Sequence, residues 1–234
     1  MSQQPIVELP ILFANVDKSG NIKLESSVFM RKQGTRLYSR MPTLDSWMKR
    51  YRAINVAEYT EGSTNDFHQA VYDGIKSNGV IMFTTISLHK PSVDIDHSLG
   101  LIVNTRTGNV ELFESRGADL SHKKHSGIRR NFYTQASFNQ LQNTIVQKFF
   151  RKNSILRDAN LEARMAGNAL PFPTKYKPQP MLQIPVLMTI DSACRLGVLI
   201  YIYYRLKNRK ASRYSVYQKV KSNTNKFCKV KAKS

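Results

Sequence analysis

The sequence predicts an α+β fold, and three observations predict it. Val80 to Leu88 (VIMFTTISL) is rich in β-branched residues and reads as a buried strand. Asp96 to Asn104 and Gly108 to Glu114 are two more strand-like runs flanking Thr105-Arg106-Thr107-Gly108, a tight-turn composition that makes them a hairpin. Leu196 to Tyr204 is apolar on every side, as expected of a helix buried all round, and is far short of the roughly 20 residues needed to cross a bilayer. A chain of 234 residues with 41% hydrophobic content can bury a sizeable core.

The remaining elements follow in order. Residues 1–42 hold short apolar pieces, Ile6 to Leu12 and Val28 to Met30, broken by Pro5, Pro10, Gly20 and Gly34, and read as strands or an extended arm. From Thr43, which reads as a cap, Leu44, Trp47, Met48, Tyr51 and Ile54 recur at helical spacing. Asn65 to Ser77 places Phe67, Val71 and Ile75 four apart and has Gly79 beyond its end. Ser137-Phe138-Asn139-Gln140 matches a capping box opening a helix whose core face is Phe138, Leu141, Ile145 and Phe149. Ile155 to Ala166 reads as a helix ending at Gly167, and five prolines between Pro171 and Pro185 keep the next stretch extended. The domain division that results is one α+β unit over 1–210 and a basic tail over 211–234.

The hairpin carries the first candidate chemistry. If it turns at Thr105-Arg106, Leu101 faces Val110, Leu99 faces Leu112 and His97 faces Glu114, so an imidazole and a carboxylate share one face. A longer loop shifts the partner by a residue or two and still leaves the carboxylate near the ring. Such a carboxylate would fix the ring tautomer and favour the imidazolium; the other reading of the pair is an edge-strand surface ion pair of little energetic weight.

The second candidate is Cys194. Asp191 or Ser192 can cap a helix beginning at Ala193, which puts the thiol in the first turn, where the helix dipole favours the thiolate. The competing reading is a buried structural cysteine. Cys194 and Cys228 are the two cysteines, too few for a disulfide framework or a paired metal knuckle. His122 and His125, in a basic loop, lack further ligand spacing and read as solvated, so no metal site is expected. The first residues lack the basic flank and apolar core of a signal peptide, and a non-secreted chain without a membrane span is expected.

Charge points to a partner. Lys and Arg number 36 against 16 Asp and Glu, a net charge of +20, which suits a polyanion, nucleic acid first and an acidic membrane second. From Arg205 to the end there are eleven basic residues and no acidic one, interleaved with Tyr214, Tyr217 and Phe227. Arg205, Lys207, Arg209, Lys210, Arg213, Lys219 and Lys221 are the candidate contacts to DNA phosphates, with the aromatics suited to base stacking. A solvated tail is the other reading.

A thiol at a helix start plus an oriented His and carboxylate is the set that acyl transfer through a cysteine requires. Asp96-His97 through Leu112-Phe113-Glu114-Ser115-Arg116-Gly117, with 17 positions from His97 to Glu114, resembles the His-strand-turn-strand-Glu segment of adenovirus-type maturation proteases, in the wider group that includes the SUMO-specific proteases. Asp191-Ser192-Ala193-Cys194 before an apolar helix resembles that family's nucleophile segment, and the likeness spans roughly residues 80–206. The resemblance implies a papain-like fold in which a central helix carrying the nucleophile packs on a mostly antiparallel sheet. It implies Cys194 as nucleophile, His97 as general base and acid, Glu114 as orienting carboxylate and Gln183 as the oxyanion-hole donor. It further implies an endopeptidase that cuts capsid or core precursor proteins, needs no cofactor for its chemistry, has DNA as an activator, and works in the virion and the host cell interior. The chain differs from the family in having Ser98 where an aromatic residue follows the histidine, Arg195 where glycine follows the cysteine, and its nearest glutamine, Gln183, eleven residues before Cys194. Two further readings are a non-catalytic, DNA-binding virion component built on the same scaffold and a SUMO- or ubiquitin-type deconjugase.

Overall fold

Strand β6 (Ile81–Lys90) is the axis on which the sheet is built, and its side chains are buried along almost their whole length. In the computed structural model the described residues are 5–30, 36–47, 59–62, 64–76, 81–92, 95–104, 109–114, 135–145, 148–149 and 193–231. On one edge β6 pairs antiparallel with β7 (Ile95–Asn104), which pairs antiparallel with β8 (Asn109–Glu114). Along its other edge lie two short strands in succession, β1 (Ile6–Glu8) and β2 (Ile11–Val16), both parallel to it.

The N-terminal segment is therefore part of the sheet. Pro10 has no N–H to give to a ladder, and the strand breaks there; the gap is closed by the Leu9 amide donating to the Phe83 carbonyl at 2.8 Å and the Thr84 hydroxyl donating to the Pro10 carbonyl at 2.6 Å. β3 (Ile22–Met30) pairs with β2, β5 (Tyr59–Gly62) with β3, and β4 (Arg36–Tyr38) with β1, all antiparallel. The fold is mixed α+β with a mostly antiparallel sheet, and only the two pairings of β6 with β1 and β2 are parallel.

Alternation along the strands divides the core into two layers of side chains. On one face Val7, Leu12, Ala14, Met82, Ile86, Leu88, Leu99, Leu101, Val110 and Leu112 pack with α1 (Thr64–Lys76) and α2 (Gln135–Ile145) through Phe67, Val71, Phe138, Leu141 and Ile145. On the other face Ile6, Ile81, Phe83, Ile102 and Phe113 pack with α3 (Ala193–Lys207) and α4 (Arg213–Lys231). α3 is apolar all round because it is sandwiched: Val198, Ile200, Tyr201, Ile202 and Leu206 are buried between the sheet and α4.

Several sequence expectations change in detail. The strand expected at 80–88 runs Ile81–Lys90, and the helix expected at 65–77 runs Thr64–Lys76. The third expected helix begins at Gln135, so Ser137 is not its cap but a buried residue within its first turn; tertiary contact outweighs the local capping pattern there. Thr43 does cap a helical turn at 44–47, accepting at Oγ1 from the Ser46 amide at 3.2 Å. The expected continuation of that turn to Ile54, the helix at 155–166, the proline-rich stretch, His122, His125, Gln183 and the capping residues Asp191 and Ser192 lie outside the described residues. The basic tail is a helix from Arg213 to Lys231, capped by Ser212, whose Oγ accepts from the Ser215 amide at 3.1 Å. Its Val216, Tyr217 and Val220 are buried against the rest of the domain.

Candidate functional site

The His97 and Glu114 side chains meet. His97 Nε2 and Glu114 Oε2 are 2.6 Å apart, with 9% and 3% of the two side chains exposed. The register that brings them together differs from the expected one. Leu99 lies opposite Glu114, Leu101 opposite Leu112 and Val103 opposite Val110, because four residues rather than two separate Asn104 from Asn109. The shift is by two positions, which preserves the alternation, so both groups stay on one face and reach each other along the diagonal. With Nε2 committed to the carboxylate, Nδ1 is the ring atom through which His97 would exchange a proton with a nucleophile.

A third ionisable side chain is buried at the same corner. His97 stands opposite Leu88 on β6, and Lys90, two residues along, shares that face and is 3% exposed. No sequence signal singled out Lys90, which ends an otherwise apolar strand.

Cys194 is the second residue of α3, within its first turn as expected. The direction of α3 follows from its contacts. A side-chain carbon at Gly100 would lie 3.1 Å from Val198 Cγ1 and 3.7 Å from Ile202 Cδ1. The Tyr201 ring stacks on Phe113 with centroids 3.7 Å apart, and Arg205 reaches Glu111. The helix thus runs with its C-terminal end over the start of β8 and its N-terminal end toward the end of β8 and the start of β7, where Glu114 and His97 reside. It does so on the face of Gly100, Ile102 and Phe113, whereas alternation puts His97 and Glu114 with Leu99, Leu101 and Leu112 on the opposite face. The structure brings the start of α3 and the His–Glu pair to one end of the sheet, in different layers.

The same strand, β8, carries another carboxylate that the sequence reading passed over. Glu111 is 2% exposed on the α3 face, accepts from the Tyr201 hydroxyl and from Arg205 Nε at 2.8 Å, and forms an ion pair with Arg213, whose Nε lies 3.5 Å away. Arg205 also donates to the Ala211 carbonyl at 2.8 Å, and Arg213 to the Val110 carbonyl at 3.3 Å. Burial, and then the adjacent Glu111 charge, push the Tyr201 phenol well above the usual tyrosine range. The signal available in the sequence was a single charged residue inside the apolar run Val110 to Phe113, with basic residues later in the chain to neutralise it.

This cluster divides the expected DNA contacts. Arg205 and Arg213 are turned inward as partners of a buried carboxylate, because an unpaired Glu111 would be costly there. Lys207, Lys210, Lys219 and Lys221 are exposed and Arg209 is half-buried. Lys207 lies over the Tyr203 ring, and Lys219 donates to Asn208 Oδ1 at 2.7 Å. Of the interleaved aromatics, Tyr217 is buried and Tyr214 exposed.

Among the described residues no group of three or more His, Cys, Asp and Glu side chains is placed to hold a metal ion, and no helix is long and apolar enough to cross a membrane. No family model, curated protein or solved structure matches the chain.

Proposed function

We propose that the protein is a cysteine endopeptidase of the adenovirus maturation type, with a papain-like arrangement of helix and sheet, acting on viral precursor proteins in association with DNA. The observation that carries this reading is the buried His97–Glu114 hydrogen bond at the end of the sheet toward which the α3 start, with Cys194, is directed. In this reading the Cys194 thiolate attacks the scissile carbonyl carbon, His97 having taken the thiol proton, and the tetrahedral oxyanion is met by amide donors at the α3 start. His97 then protonates the leaving amine, and water, deprotonated by His97, hydrolyses the thioester and regenerates the thiol. Glu114 holds the ring in place through Nε2. Gln183 is the proposed side-chain donor to the oxyanion.

Iodoacetamide alkylation near neutral pH tests the proposal. Cys194 should react about tenfold faster than Cys228, and His97→Ala should abolish the difference. Equal rates in the wild-type protein would overturn the catalytic reading.

Two observations favour a second reading. The pair and α3 approach the sheet from opposite faces, and the Glu111 cluster ties α3 and the basic helix α4 into the core. Those features suit a protease-like scaffold that binds DNA in the virion without cutting protein. Slow, equal alkylation of the two thiols together with salt-sensitive DNA binding is the outcome this reading expects.

A further inference from the structure

The two sides of α4 are built for different neighbours. Val216, Tyr217 and Val220 face inward, while Tyr214, Gln218 and Lys221, spaced i, i+4 and i+7, form a stripe on the exposed side. Tyr214 is 64% exposed; among the described residues Leu37 is the other large apolar side chain left so open. Its ring leans on the buried Tyr217, centroids 6.4 Å apart, which anchors it. Exposed Lys210 precedes the helix and exposed Lys221 lies about 10 Å along its axis from Tyr214. No Asp or Glu occurs from Arg205 to the end of the chain.

An anchored aromatic face preceded and followed along the chain by exposed cations, with no carboxylate near it in sequence, has a definite complement. Duplex DNA offers phosphates to the lysines and nothing to the ring, because its bases are stacked on one another. A single strand offers both, a phosphate and a π-face for every nucleotide. We propose that the Tyr214–Gln218–Lys221 stripe with Lys210 is a contact site for single-stranded DNA, one base stacking on Tyr214 while flanking phosphates meet the two lysines. The proposal rests on the DNA-associated reading above and sharpens it to one strand.

The test uses the full-length chain and two fluorescent probes, an oligothymidylate of about 20 nucleotides and a duplex of the same length. Tyr214→Ala should weaken oligothymidylate binding about tenfold and leave the duplex unchanged, while Tyr214→Phe, which keeps the ring, binds like the wild type. Lys221→Gln should lower the log–log salt slope on the single strand by about 0.7. If Tyr214→Ala weakens neither probe, or both equally, the single-strand proposal fails and the DNA reading stands. If the wild-type chain binds neither probe, the DNA reading fails as well. Tighter binding of oligouridylate than of oligothymidylate, or binding only to phosphatidylserine vesicles, would assign the face to RNA or to a membrane and overturn the proposal.

Discussion

Glu114 sits opposite Leu99, two residues along β7 from His97, and still places Oε2 2.6 Å from His97 Nε2. The contact is diagonal, so it depends on the length of the glutamate side chain. Aspartate, one methylene shorter, cannot span the diagonal. Glu114→Asp should therefore destabilise the protein by about 1–3 kcal/mol, as expected when a buried hydrogen bond is left unmade, and Glu114→Gln by less. A double-mutant cycle with His97→Ala, read by urea unfolding, should give a coupling of about 1–3 kcal/mol. A coupling near zero would show that the two side chains do not interact in solution.

The Glu111 cluster makes a different demand. Removing the carboxylate leaves Arg205, with 13% of its side chain exposed, and the Tyr201 hydroxyl without their shared acceptor. Glu111→Ala should cost about 3–5 kcal/mol, against less than about 1 kcal/mol for exposed Lys219→Ala. The checks are denaturant midpoints for both variants. Similar small losses would mean that the charges at Glu111 are solvated.

Where α3 crosses β7, the helix needs a residue without a side chain. A Cβ at Gly100 would come within 3.1 Å of Val198 Cγ1, and a β-branched helical residue has little freedom to swing away. Gly100→Val should destabilise by about 1–3 kcal/mol through overpacking, and Val198→Ala in the same chain should recover part of that loss. Additive losses in the double variant would place α3 elsewhere.

His68 predicts a pH response. Its ring is buried against Phe149, centroids 4.6 Å apart, with Nε2 donating to the Lys148 carbonyl at 2.7 Å. Burial first, and then the Lys148 charge, hold this imidazole below its usual 6.5, against the carbonyl bond, which acts in the other direction. The unfolded chain then binds more protons than the native one as pH falls below 6.5. The contribution of His68 to stability is intact above that pH and is lost as pH falls from 6.5 toward the lower native value. His68→Gln, which keeps an N–H donor for the carbonyl, should show a shallower fall of stability between about pH 7 and 5. Parallel curves for the two proteins would mean that His68 is equally accessible to protons in both states.

Much of the architecture was legible in the sequence because it is written in short-range pattern. Composition identified β6, two strand-like runs flanking a tight-turn sequence identified β7 and β8, and the apolar run behind Cys194 identified α3 as a buried helix. The meeting of His97 and Glu114 was legible for the same reason. A two-residue change of register moves side chains along a strand without turning them to the other face, so the pair survived an error in loop length.

What the sequence could not decide is which layer each element joins. Period-2 alternation says that His97 shares a face with Leu101, and nothing local says whether α1 and α2 or α3 and α4 cover that face. That choice depends on the packing of helices distant in sequence, and it places the His97–Glu114 pair and the start of α3 in different layers at one end of the sheet. The basic C-terminal segment shows the same division. Its charge was evident from composition, but only the fold, by burying Glu111, turned Arg205 and Arg213 inward and left Tyr214, Lys210 and Lys221 facing solvent.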